Sequence, residues 1–355
     1  MRTGRRAMEQ MSDIRDEEFF GASAPFPQLG ERTVSDLPAE IADKHKKIYF
    51  SLVSIFQKLC VELKDNGGAD GNPLKLAIED TIGALREDER MSLGLANAPY
   101  PYVARNIENG DKLFRAVVIH GVNVMVYSLK ISLDIGVPDI RLPYIGMAAI
   151  CYRIGALSLP KEKLAASPDD TGTMLEMDAL AAESGKYLEG IEIDDFHMES
   201  IQYLLTLARE NSDTLRQTSL REAMYQYSII IHMAHEFEKL THQPAYGASL
   251  SPVDAMKRIR DEMSSYFNPE IIKLFFNHLS IYPLGSFVKL SSGETAKIVK
   301  VNETSIIRPT VMIVLDEEGR EKPDPARINL RLKPNLYIKK AVVDPFLTER
   351  YIDLF

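Results

Sequence analysis

His232-Met-Ala-His235 sets two imidazoles three residues apart, and Glu236 follows at once. On a helix that spacing turns both rings to one face. With a third ligand such as Glu236 or Glu210 the pair can hold one metal ion. Without a third ligand supplied by the fold, the same spacing describes two histidines packed between helices, and nothing here specifies a closed coordination shell. Other chemistries lack their motifs. The chain has no Gly-x-x-x-x-Gly-Lys phosphate loop, no Gly-x-Gly-x-x-Gly turn, no Gly-x-Ser-x-Gly elbow and no His-Glu-x-x-His zinc helix. Cys60 and Cys151 are isolated in apolar stretches, which reads as two reduced core thiols of a cytoplasmic protein.

The elements that must position these side chains are mostly helical. A length of 355 residues allows one large domain and a small one, and 45% apolar with 26% charged residues suits a soluble globular chain. The net charge of −9 argues against broad binding to nucleic acid or anionic membranes. No run of 18 apolar residues occurs, and no apolar stretch follows the basic Met1-Arg-Thr-Gly-Arg-Arg, so neither membrane insertion nor a signal peptide is expected. Residues 1–40, broken by Pro25, Pro27, Gly30 and Pro38, read as a flexible arm. Apolar residues at three- and four-residue steps then predict helices at 41–64, 73–85, 113–133, 140–153, 173–188, 196–210, 219–240, 252–264 and 269–279. The charge run Arg86–Arg90 reads as a solvated helix end, and Pro99-Tyr-Pro-Tyr102 as an extended connection. After Ile281 the period changes to two: strands are predicted at 287–290, 297–301, 311–315 and 337–343.

Within this series stand His120-Gly-Val-Asn-Val124, a stop at Gly136, then Ala148–Ala156 and the loop Leu157-Ser-Leu-Pro160. Downstream come Ala234-His-Glu-Phe-Glu-Lys-Leu-Thr241, Tyr246, Leu250-Ser-Pro252, Phe267-Asn-Pro-Glu270 and Tyr282-Pro-Leu-Gly-Ser-Phe-Val288. In order and spacing, over roughly residues 73–320, these resemble the HD-GYP family of bacterial cyclic di-GMP phosphodiesterases. The resemblance implies a mainly α fold: an HD-type helical domain with a small C-terminal antiparallel β-module. The implied division is a flexible arm at 1–40, a helical lead-in at 41–110, the HD-GYP-like domain at 111–280, and the β-module and tail at 281–355.

Family members hydrolyse their substrate with a cluster of His and acidic side chains around two or three metal ions, which activate a bridging water and stabilise charge on the phosphate. Carried over residue by residue, the family's His-Asp pair falls on Tyr152 and Arg153, and its lysine on Ala156. The next metal-binding His falls near Ala181, the His-His-Glu on Ala208-Arg209-Glu210, and the metal-binding Asp of the later helix on His235. No Gly-Tyr-Pro follows Asp213, and only His120, Glu210 and Asp213 keep the family's residue types. A metal-free, non-catalytic site is therefore expected.

Two readings of Arg153 stay open: its guanidinium replaces lost metal charge and pairs with Glu210, or the helix rotates and leaves it solvated. Arg153 with Arg209 can also anchor a phosphate, against the plain alternative of a solvated helix-end arginine at 209. The functional expectation is a non-catalytic relative acting in bacterial signalling as a protein-interaction scaffold, with a homodimer plausible by analogy and no nucleic-acid partner. The alternatives are a cyclic di-GMP receptor that binds without cleaving, and a residual phosphodiesterase built on His120, Glu210 and His235.

Overall fold

The computed structural model describes residues 38–98, 100–105, 115–160, 183–194, 198–209, 219–242, 250–263, 282, 284–302, 305, 307–342 and 344–351. Residues 1–37 of the arm expected at 1–40 and the helix expected at 269–279 lie outside these residues, and Ala39 and Glu40 already belong to a helix. Helix α1, Ala39–Asn66, follows Pro38 and buries Tyr49, Leu52, Val53, Phe56, Leu59, Cys60 and Leu63 along one stripe. It stops where Gly67 takes φ 76° and its N–H bonds the Leu63 carbonyl, a left-handed cap that suits glycine.

Helix α2 (Asn72–Glu87) opens with Pro73 in its first turn, where the missing N–H costs nothing. The charge run is a solvated helix end only at Arg86 and Glu87, which are exposed and close α2. Asp88 caps a new helix, α3 (Glu89–Ala96), by accepting from the Arg90 N–H at 2.9 Å, and the Arg90 side chain folds back onto the same carboxylate. Tyr100–Tyr102 of the expected extended connection are helical instead: α4 spans Tyr100–Arg105, with Pro101 in its first turn, where the missing N–H costs no bond. Tyr100 and Tyr102 are buried.

A π-helical turn, Arg115–Ile119, runs directly into α5, His120–Asp134. The stretch Val117–Asp134 is long and apolar enough to cross a membrane by composition, yet 89% of it is buried inside the fold, as a core helix is. The helix expected at 140–153 is shorter. After the 3-10 turn Asp139–Arg141, α6 covers Leu142–Ile150, and a 3-10 helix follows at Ile154–Ser158. Tyr152 and Arg153 thus sit on the turn between them. Lys64 of α1 fixes the segment beyond that turn by donating to the Leu157 and Leu159 carbonyls at 2.5 and 2.7 Å.

Then come α7 (Ser184–Leu188), α8 (Met198–Arg209), α9 (Ser219–His242) and α10 (Pro252–Met263). Strands β1 (Ala69–Asp70) and β2 (Ile191–Glu192) pair in parallel and tie the end of α1 to the segment after α7. One continuous apolar core runs from Tyr49 to Leu284. The lead-in helices and the HD-type helices therefore share it.

The C-terminal module is a five-stranded antiparallel sheet in the order β6-β5-β4-β3-β7. Its strands are β3 Phe287–Leu290, β4 Thr295–Lys300, β5 Thr310–Leu315, β6 Arg327–Asn329 and β7 Ile338–Val342. The short β6 has too little alternation to be read from sequence. Part of the expected tail is a helix, α11 (Pro345–Tyr351), covering Phe287 and Val314. A fully buried lysine holds it: Lys297 donates from Nζ to the Tyr351 carbonyl at 2.8 Å.

Candidate functional site

Two polar stripes lie inside the helical core. On α5, His120, Asn123 and Tyr127 recur at steps of three and four, and all are fully buried. On α9, His235, Glu238 and His242 recur at the same steps, and His235 and Glu238 meet His120. Such a stripe on an apolar helix must be satisfied internally, because each unmatched polar group costs its desolvation.

Glu238 is the hub. Its carboxylate accepts from His120 Nδ1 and from the Tyr100 hydroxyl, and from Asn123 Nδ2 at 3.4 Å, while His242 Nδ1 stands 3.8 Å away. The Asn123 oxygen in turn accepts from the Tyr49 hydroxyl at 2.7 Å. Tyr127 donates to the Ala96 carbonyl at 2.8 Å. Burial by itself would raise the Glu238 carboxyl, but the charge and hydrogen bond of His120, the charge of His242 and the Tyr100 hydroxyl bring it down to about 2. The group is an anion throughout the physiological range, so His120 Nδ1 carries a hydrogen.

The other nitrogen of His120 meets the second helix. His120 Nε2 lies 2.9 Å from His235 Nδ1, one hydrogen between them. Tyr152 stacks on the His235 ring at 4.2 Å between centroids, and its hydroxyl is 2.9 Å from His232 Nδ1. Glu236 approaches His235 Nε2 at 3.6 Å and accepts from Lys239 at 3.0 Å. Arg153 is the largest fully buried side chain among the described residues, and its charge reaches His235. His235 is held well below the usual histidine range, first by burial, then by the charges of Arg153, His120, Lys239 and His232. It is a neutral imidazole.

The sign of the resulting pH dependence follows. A histidine kept neutral in the fold takes up a proton on unfolding below its ordinary value of 6.5. Its contribution is complete above that pH and is lost as pH falls below it, by up to about 1.4 kcal/mol per pH unit. Urea unfolding between pH 7 and about 5 is expected to show declining stability, with a shallower decline in His235→Asn. Equal slopes in the two proteins would contradict the assignment.

Of the positions singled out from sequence, His120, Tyr152, Arg153 and His235 converge here. The reading of Arg153 as solvated is overturned, since its side chain is fully buried. Ala181, Glu210 and Asp213 lie outside the described residues, as do the side chains of Ala208 and Arg209 at the end of α8. Sequence reasoning missed Glu238, Tyr100, Asn123 and Tyr49. The spacing of 120–123–127 and of 235–238–242 was the available signal: polar residues on the face that periodicity assigns to the core. Among the described residues, no three His, Cys, Asp or Glu side chains are arranged to hold a metal ion.

Comparison with known proteins agrees with this architecture. Residues 287–345, the five-stranded sheet, match the family model described as a KOW domain associated with HD domain. The chain is 20% identical over 214 residues to a cyclic di-GMP phosphodiesterase of Pseudomonas aeruginosa, covering 57% of this chain and 49% of that protein. It is 21% identical over 237 residues to the cyclic di-GMP phosphodiesterase PdeB of Borreliella burgdorferi, covering 63% of this chain and 59% of that one. The chain thus spans between half and three fifths of the length of these relatives. No solved structure matches it significantly.

The match of the C-terminal sheet and the weak similarity to two cyclic di-GMP phosphodiesterases make this an HD-GYP-like chain.

Proposed function

We propose that this HD-GYP-like protein is non-catalytic and metal-free, and acts in the bacterial cytoplasm as a protein-interaction scaffold. The observation that carries the proposal is the engagement of His120, which has the family's ligand type at the family's position. Its Nδ1 is bound by Glu238 and its Nε2 by His235, so neither ring nitrogen is turned toward a metal. The donor set around it does not fit a pair of metal ions. A buried guanidinium, Arg153, stands where the resemblance places a carboxylate ligand, and Tyr152 packs flat on the imidazole that replaces the other one. A cation in that place repels metal ions instead of binding them.

The full burial of Arg153 also weighs against a cyclic di-GMP receptor that grips phosphate through this residue. The test is incubation of the purified chain with cyclic di-GMP and manganese or ferrous ion, following both linear product and heat of binding. Neither product nor binding heat is expected. Turnover that disappears in His120→Ala would show a working centre and overturn the proposal.

A further inference from the structure

The segment from β6 to β7 departs from the charge of the whole chain. Between Arg327 and Val342 stand five basic residues, Arg327, Arg331, Lys333, Lys339 and Lys340, and no acidic one, in a protein of net charge −9. Arg331, Lys333, Lys339 and Lys340 are all exposed. At physiological salt charges are screened beyond about 8 Å, so an approaching surface responds to this local cluster and not to the total.

The connection between the strands is held rigidly. A single guanidinium nitrogen, Arg308 Nη1, donates to the carbonyls of Pro334 and Leu336 at 3.1 Å, of Lys333 at 3.3 Å and of Leu330 at 3.4 Å. Asn329 accepts from the Arg331 N–H at 3.0 Å, and Ser291 bonds Tyr337 on both backbone sides, at 2.8 and 3.2 Å. Leu330 and Leu336 turn inward onto the sheet core. Leu332 does not: it is 73% exposed between two basic neighbours, and Tyr337 is 53% exposed at the other end of the loop. The fold has ordered a leucine outward where none of the described residues covers it.

We propose that this loop is a docking surface for an anionic phospholipid bilayer. Leu332 enters the boundary between headgroups and acyl chains, Tyr337 rests at headgroup level with its hydroxyl in water, and Arg331, Lys333 and Lys339 meet lipid phosphates. The leucine decides among anionic partners. A nucleic-acid backbone rewards basic residues and its bases stack on aromatic rings, whereas a protruding aliphatic side chain ringed by cations gains most from an acyl-chain boundary. A bilayer accepts both. The proposal is independent of whether the buried site binds metal.

The experiment is sedimentation of the full chain with vesicles of phosphatidylglycerol and phosphatidylcholine, and with phosphatidylcholine alone. Binding is expected to the anionic vesicles only and to weaken with salt. Lys333→Gln and Lys339→Gln should each lower the partition about fivefold. Leu332→Ser should lower it at unchanged charge; all three positions are exposed, so the variants keep the fold. Absence of binding to anionic vesicles overturns the proposal. So does a Leu332→Ser protein that binds as well as the parent, or a chain that ignores vesicles but binds a single-stranded oligoribonucleotide through the same lysines.

Discussion

Glu238→Ala is expected to cost about 3–5 kcal/mol of folding stability, the largest loss from any single truncation at the buried site. The wild-type carboxylate receives His120, Tyr100 and Asn123 from two other elements, with both partners of the His120–Glu238 pair fully buried. Truncation leaves an imidazole, a hydroxyl and an amide without their acceptor in a medium that cannot solvate them. Urea unfolding at neutral pH reads the loss. Glu238→Gln recovers only part of it, because an amide nitrogen in place of one oxygen sets a donor against either Tyr100 or His120. A Glu238→Ala protein as stable as the parent would mean that the network holds nothing together.

Gly121→Ala is expected to cost about 1–3 kcal/mol, through backbone approach and not through polarity. A methyl group at this position would stand 2.3 Å from the Ile150 carbonyl oxygen and 3.0 Å from the Phe56 ring. The oxygen belongs to the backbone at the end of α6, so relief requires α5 and α6 to move apart. That motion separates His120, one residue before Gly121, from Tyr152, two residues after Ile150. The chain has no Trp, so near-UV circular dichroism reports its tyrosines and should change with the loss of stability. Gly83→Ala on α2 is the control: nothing lies within 4 Å of the added methyl, and alanine favours a helix. It should be neutral or stabilising.

Much of the fold was legible because it obeys one rule at a time. The stripe Tyr49–Leu63 has helical spacing with a glycine at its end, and Phe287–Leu290 and Val311–Leu315 have strand character between turns. Reading failed where two rules compete. Pro101 suggests an extended chain, yet a proline in the first turn of a helix removes an N–H that had no partner anyway. Asp88 lies in a charge run, yet its side chain caps a helix, which depends on a backbone angle that charge does not reveal. Tyr152 and Arg153 continue an apolar helical pattern, but the helix ends at Ile150 and they occupy the turn.

The site divides in the same way. Positions carried over from the HD-GYP resemblance, His120, Tyr152, Arg153 and His235, meet in space because the close approach at Gly121 and the packing of α5 on α9 bring their elements together. What now fills it was hidden. Glu238 and Asn123 show in sequence only as polar residues on a core face, their partners unknown until α5 and α9 face each other, and Tyr100 comes from a helix whose sequence reads as an extended connection. Partner identity is a property of packing, and a linear pattern shows only that a polar residue lies on the wrong face.

The central claim is that protein groups occupy the place of the metals. Elemental analysis by mass spectrometry of untagged protein, purified after growth with added manganese and iron, tests it most directly. The expected result is manganese, iron and zinc far below one ion per chain, unchanged in His120→Ala. One or more ions per chain, lost in His120→Ala and in His235→Ala, would contradict it.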